Sequence, residues 1–207
     1  MVTSAEEDRR QIARAATVVM AAFILSRLLG LVRQRVIGLY FGTGADLDAY
    51  LAAFRVPDLI FQLMAGGALG SAFIPTFTGH LTRGDRSGAW RLASAVINLL
   101  LVTLTVAALL AGLMAPWLVA TLIAPGFPPA QQQLTVALMR VMLLSTIIFG
   151  VSGVVMGALN AHQHFLLPAV APMLYNLGII GGAILLSSTQ GVMGLAVGVV
   201  IGAGLHL

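Results

Sequence analysis

The chain has 207 residues, of which 59% are hydrophobic and 9% are charged, and its formal net charge is +4. A soluble globule of this length needs a charged surface, so this composition excludes a soluble domain and indicates a polytopic α-helical membrane protein. All 11 basic residues are arginine and there is no cysteine. The chain therefore lacks a P-loop or Schiff-base lysine, a disulfide and a thiolate metal ligand.

Six apolar runs predict the organisation of an all-α chain. A polar segment, 1–11, comes first, and helices are predicted at about 12–40, 47–79, 90–115, 133–160, 166–187 and 191–207. Pro57, Pro75 and the glycines between them predict a kink or local unwinding in the second helix. The stretch 115–132 is rich in proline and glutamine and predicts a loop. The last run is short for a span and has no flanking anchor, which suggests a chain cut at its C-terminus.

The arginines between the apolar runs and at their ends predict the orientation. Arg9, Arg10 and Arg14 lie near the N-terminus, and Arg83, Arg86 and Arg91 surround the loop after the second helix. The loops after the first, third and fifth helices contain no basic residue. The positive-inside rule therefore places the N-terminus in the cytoplasm.

Within the first apolar run, the stretch 26–35 contains three arginines, each of which costs roughly 2.5–3.5 kcal/mol to insert at the centre of a lipid-facing helix. They are therefore expected to face protein, water or an anionic ligand. At about 100° per residue, one cationic arc covers roughly a third of the helix. Its members are Ser26, Arg27, Gly30, Arg33 and Gln34. Arg35 falls outside this arc and is expected to extend toward the helix end.

The second helix has a polar stripe of its own, at spacings of seven, three, four, four and four. It comprises Asp48, Arg55, Asp58, Gln62, Gly66 and Gly70. Asp58 lies one turn after Arg55 and is expected to neutralise part of its charge. The stripe is interpreted either as an internal salt bridge that packs the bundle or as a cavity wall shared with the first helix. Gly66 and Gly67, between Pro57 and Pro75, are a possible hinge.

Several stretches together resemble the opening of the MurJ/MviN family, the lipid II flippases within the multidrug/oligosaccharidyl-lipid/polysaccharide exporter superfamily. The stretches are Ser26-Arg27-x-x-Gly30-x-x-Arg33, Phe41-Gly42-x-Gly44, Asp48-Ala49, Ala53-Phe54-x-x-Pro57, Gly67-Ala68-x-x-x-Ala72-Phe73-x-Pro75, Ala124-Pro125-Gly126-Phe127 and Gly157-Ala158-Leu159-Asn160. Phe61, Gln62 and Gly66 depart from the pattern, because the family commonly has two arginines and an acidic residue there. The exact lipid substrate is therefore left open.

The resemblance implies the six-helix N-terminal lobe of a two-lobe transporter, with the C-terminal lobe missing. It implies transport of lipid II, the undecaprenyl-diphosphate-linked disaccharide-pentapeptide, to the outer leaflet by alternating access in the bacterial inner membrane, for cell-wall synthesis and cell shape. Substrate-binding residues are then Ser26, Arg27, Arg33, Asp48 and Arg55, with Asp58 and Gln62 as cavity wall. No ATP site is visible, so an ion gradient or the membrane potential is expected to drive transport.

Two alternatives remain open. The first is an exporter of another lipid-linked polysaccharide or of drugs in the same superfamily, and the second is a non-transporting membrane scaffold. No zincin, P-loop or Ser-His-Asp arrangement occurs, so no enzyme, catalytic residue, metal or cofactor is predicted. His162 and His164 are interpreted as a polar turn. The scattered arginines predict membrane lipids as neighbours and no nucleic-acid partner.

Overall fold

The computed structural model describes the backbone of residues 2–64 and 72–207 and, within these ranges, the side chains from residue 17 onward except residue 64. All regular structure in these ranges is helical. The helices are α1 (Val2–Phe41), α2 (Ala45–Ala53), α3 (Arg55–Met64), α4 (Ile74–Thr82), α5 (Arg86–Leu118), α6 (Pro129–Ala161), α7 (Leu166–Gln190) and α8 (Met193–His206), with a π turn, Val119–Ile123, after α5. The all-α prediction is confirmed.

Four helical segments are long and apolar enough to cross a membrane. They are Thr17–Phe41, Arg86–Ile123, Pro129–Ala161 and Leu166–Gln190, and α8 is a shorter apolar helix. The predicted second helix corresponds to α2, α3 and α4. A membrane protein with several spans is thus confirmed, while the count of six spans stays a prediction.

The main differences from the predicted helix boundaries lie at three places. α1 begins at Val2, so the predicted polar segment 1–11 is part of the helix from residue 2 onward. Six of its eleven residues are alanine, glutamate, arginine or glutamine, which favour helix. The second helix is interrupted at Phe54, because Pro57 has no N–H for the Ala53 carbonyl, and this agrees with the expected kink. The possible hinge at Gly66 and Gly67 lies outside the described residues.

The third difference is the predicted loop 115–132, which is wrong over most of its length. α5 passes through Pro116 and continues as the π turn to Ile123, and α6 begins at Pro129. Proline removes the N–H that would bond the Gly112 carbonyl four residues earlier. The Arg140 side chain of α6 supplies a donor instead, since its Nε lies 2.9 Å from that carbonyl oxygen.

α6 is the centre of the bundle and packs against α5, α8, α2 and α3. Its buried residues Leu138, Met139, Met142 and Leu143 form much of the largest hydrophobic cluster. The closest packing joins α7 and α8, where glycines of the two helices face each other. A Cβ on Gly178 would overlap the backbone of Gly202, and one on Gly182 would overlap that of Gly194. Gly178 and Gly182 therefore allow the backbones of α7 and α8 to touch.

Candidate functional site

The cationic arc of α1 is divided between two surroundings. α1 packs against α7, where Asn176 Nδ2 donates to the Ser26 carbonyl at 3.5 Å and approaches Gly30. Arg33 is half-buried on this side, whereas Arg27 is exposed and has no hydrogen bond or ion pair among the described residues. Arg35 is exposed as well, on the far side of the helix. Of Arg27, Arg33 and Arg35, the fold therefore encloses Arg33 alone.

Arg33 lines a cavity of 510 Å³ between α1, α2 and α7, which we call the arginine cavity. Its polar side chains can all donate hydrogen bonds: Arg33, Gln34, Thr43, Tyr50 and Tyr175. No carboxylate is among the lining residues, so the guanidinium is not neutralised by an acidic side chain of the wall. Such a set of donors is suited to an anion, and the planar guanidinium suits a phosphate in particular.

A second cavity, of 290 Å³, lies between α3, α6, α7 and α8, and we call it the aspartate cavity. Phe54 and Tyr175 line both cavities, so the two adjoin. Its polar lining includes Asp58, Ser145, Thr146 and His206, and its remaining wall is mainly aromatic. Tyr175 thus lines one cavity together with Arg33 and the other together with Asp58.

The remaining predicted site residues lie elsewhere. Arg55 Nη1 donates to the Ile123 carbonyl at 3.0 Å and so bonds the end of the π turn. Asp58 accepts a hydrogen bond from Gln62 Nε2 at 2.6 Å. The expected pairing of Arg55 with Asp58 is therefore wrong, because each has a different partner. Asp48 is exposed in the first turn of α2, where the negative charge of a carboxylate interacts favourably with the helix dipole.

Sequence reasoning missed Tyr50, Tyr175 and Arg140. The tyrosines lie in apolar helices, and the packing of α2 and α7 around α1 brings them into the cavity of Arg33. Arg140 could have been identified from the sequence, because it is an arginine inside an apolar run. A membrane-embedded charge needs a partner, and the structure identifies the Gly112 carbonyl.

These features define a helical membrane protein that holds an uncompensated guanidinium in a donor-lined cavity. The chain belongs to the MurJ family: the family model described as "Lipid II flippase MurJ" matches residues 37–207. Because this match begins at residue 37, it does not include Ser26, Arg27 or Arg33. The assignment of these three residues to the site is based on the motif resemblance and the structure. The chain is thus a bacterial membrane protein.

A "Probable lipid II flippase MurJ" of Rhizobium tropici is 35% identical over 157 residues, which cover 75% of this chain and 30% of the relative. The "Lipid II flippase MurJ" of Burkholderia cenocepacia is 31% identical and is matched over 83% of this chain and 33% of its own length. A solved structure titled "Lipid II flippase MurJ, inward closed conformation" superposes with a TM-score of 0.77 at 27% identity, covering 92% of this chain and 40% of that chain. This chain thus spans about a third of the length of its curated relatives.

Proposed function

We propose that this chain is one lobe of a flippase that moves lipid II from the inner to the outer leaflet by alternating access. The observation that carries the proposal is Arg33, half-buried in a cavity whose polar side chains are all donors. The diphosphate of a lipid-linked precursor is an anion that Arg33 can bind through two parallel hydrogen bonds. The names of the relatives support lipid II as the particular substrate.

In this mechanism the polyprenyl chain stays in the bilayer while the diphosphate and sugars pass through the cavity. Arg33 holds the diphosphate, with the Tyr50 and Tyr175 hydroxyls as neighbouring donors. Arg27 lies six residues earlier, about 9 Å along the axis of α1, and its side chain is exposed on the same arc of the helix. A second lobe would close the cavity, as in transporters built from two repeats. Movement breaks no covalent bond, and an ion gradient or the membrane potential would supply the energy.

The test is substitution of Arg33 in the full-length protein. Arg33→Gln should weaken binding of undecaprenyl diphosphate roughly ten- to a hundredfold, since a charge-assisted hydrogen bond contributes roughly 1.5–3 kcal/mol. Transport of lipid II in proteoliposomes should fall with it, and Arg27→Gln should also impair transport. Arg33→Lys should restore only part of the binding, because the planar fork is lost.

Arg35→Gln is the matched control for this test. It removes an equal charge from the same helix, but Arg35 is exposed and does not line the arginine cavity. Its binding and transport should stay close to the parent protein. Wild-type binding by Arg33→Gln, or a larger loss for Arg35→Gln, would refute the anion-binding role of the cavity.

We further propose that the chain lies in the bacterial inner membrane with its N-terminus in the cytoplasm. The three arginines around the loop between α4 and α5 support this orientation, as the segment 119–128 contains none. The chain has no native cysteine, so single cysteines report cleanly. Arg83→Cys should be protected from an impermeant thiol reagent in intact cells, whereas Pro128→Cys should be labelled. The reverse pattern would invert the topology.

A further inference from the structure

The aspartate cavity has a different chemistry from the arginine cavity beside it. Phe149 is the centre of its wall, and its ring contacts three others: Tyr175 at 5.0 Å, His206 at 5.2 Å and Phe61 at 5.5 Å between centroids. The contacts to Tyr175 and His206 are edge-on, with interplanar angles of 75° and 74°. These rings provide an apolar wall whose faces can pack against C–H groups.

The polar groups of this cavity have hydrogen-bonding capacity that the protein does not use. Asp58 is bonded to the neutral amide of Gln62 and has no ion pair among the described residues. Thr146 is 1% exposed, and its Oγ1 is buried without any hydrogen-bond partner in the described part of the chain. His206 Nδ1 lies 2.7 Å from Ser152 Oγ, so one ring nitrogen is occupied and Nε2 is not. A buried hydroxyl without a partner is costly, which points to a ligand that satisfies it.

We propose that the aspartate cavity binds one sugar ring of the lipid-linked precursor; this rests on the proposed function. A pyranose has C–H faces that pack on aromatic rings and hydroxyls that donate to a carboxylate and accept from other groups. The volume of 290 Å³ lies just below the range for drug-sized sites, roughly 300–1,000 Å³. This size suits a single ring better than a disaccharide with its peptide.

The position of the cavity agrees with this ligand. The first sugar of a lipid-linked precursor is bonded directly to the diphosphate, so its binding site has to adjoin the phosphate site. The two cavities share Phe54 and Tyr175 as a common wall. Arg33 would therefore retain the phosphates that every such lipid carries, and the aspartate cavity would distinguish what is attached to them.

The experiment compares three probes on the purified full-length protein: undecaprenyl diphosphate, the same lipid carrying the disaccharide without peptide, and lipid II. Asp58→Asn and Phe149→Leu should each lower affinity for the two sugar-bearing lipids about tenfold, and leave undecaprenyl diphosphate unchanged. Unchanged binding of that lipid also shows that the variants are folded. Arg33→Gln should weaken all three probes by the same factor.

Thr146→Val is the sharpest variant, because it removes the unpartnered hydroxyl and keeps the side-chain shape. It should weaken binding of the sugar-bearing lipids severalfold. Its matched control is Thr135→Val on the same helix, where the hydroxyl is equally buried but donates to the Gln131 carbonyl at 2.8 Å. Thr135→Val should leave the preference for sugar-bearing lipids unchanged.

Three results would overturn the sugar site. The first is an equal loss for all three probes in Asp58→Asn and Phe149→Leu, and the second is no loss for any probe. The third is a loss confined to lipid II, which would assign Asp58 to the peptide. Failure of the parent protein to bind undecaprenyl diphosphate would refute the proposed function instead, so the two failures are distinguishable.

Discussion

α7 packs mainly against α8 and α1, and the contacts with these two helices differ. Against α8 it presents Gly178 and Gly182, whose backbone touches the backbone of the partner helix. Against α1 it contributes Asn176 and a hydrogen bond of 3.5 Å, and of the described side chains of α1 only that of Ala22 is buried. Close backbone contact is how helices associate in lipid, where the hydrophobic effect between them is absent. The α7–α8 pair therefore forms a rigid frame, and the helix that carries the arginines is the more loosely attached of the two.

The variant with the largest expected effect on stability is one that separates α7 from α8. Gly182→Leu places a side chain where the backbone of Gly194 and Gly198 already lies. The helices must move apart, which should cost at least about 3 kcal/mol, a large part of a typical total stability of about 5–15 kcal/mol. Loss of monodisperse protein in detergent and a large drop in melting temperature are the expected readouts.

The neighbouring glycine provides the control for this variant. Nothing lies within 4 Å of a Cβ built on Gly181. Gly181→Leu adds the same side chain one residue away and should leave the melting temperature close to that of the parent. Similar destabilisation by both variants would show that the glycine contact is not what holds the frame.

A second helix pair, α5 and α6, extends the comparison because a polar contact joins it. Arg140→Met leaves the Gly112 carbonyl without its donor, which should cost about 1–3 kcal/mol. Pro116→Ala restores a backbone N–H for that carbonyl. In the Pro116→Ala background, Arg140→Met should therefore cost less than about 0.5 kcal/mol. Denaturation of the parent, the two single variants and the double variant completes the double-mutant cycle. An equal cost of Arg140→Met in both backgrounds would show that the two residues act independently.

The smallest expected effect lies in the loop that joins α4 and α5. Asp85 is the N-cap of α5, and its pKa is lowered to about 2, first by the backbone N–H of Gly88 and then by hydrogen bonds from His80 and Ser87. Because the folded-state pKa lies below the ordinary value of 3.8, Asp85 stabilises the fold above that pH. The stabilisation is lost as the pH falls from 3.8 toward 2.

Asp85→Asn isolates this effect, because asparagine remains a good N-cap but does not titrate there. The parent should have the higher melting temperature at pH 7, and the difference should shrink steadily below pH 4. A difference that is the same at pH 7 and pH 2.5 would contradict the assigned role of the carboxylate.

The sequence predicted the features that depend on neighbours along the chain. The apolar runs located the long helices, and Pro57 located the break near Phe54. It could not predict that α5 continues past Pro116, because the compensating donor is Arg140, which lies 24 residues later. Phe54 was part of a recognised motif, but its place between two cavities depends on the packing of α7.

The candidate site, too, could be predicted only where it depends on neighbours along one helix. Periodicity placed Arg27 and Arg33 on one arc of α1, yet the contact of Asn176 with Ser26 decides which of them is enclosed. Arg55 and Asp58 have the spacing of an ion pair, but Ile123 and Gln62 offer nearer partners. Spacing along a helix shows which residues can meet, and tertiary packing decides which of them do.

The contact between Arg140 and Gly112 also bears on how the chain enters the bilayer. An arginine in the centre of an inserting helix costs roughly 2.5–3.5 kcal/mol. α6 carries this arginine, and α5, which holds the accepting carbonyl, is synthesised before it. The two helices can therefore leave the translocation machinery as a hairpin in which the charge already has its partner. The proline that weakens α5 thereby provides the acceptor for the charge that α6 brings into the membrane.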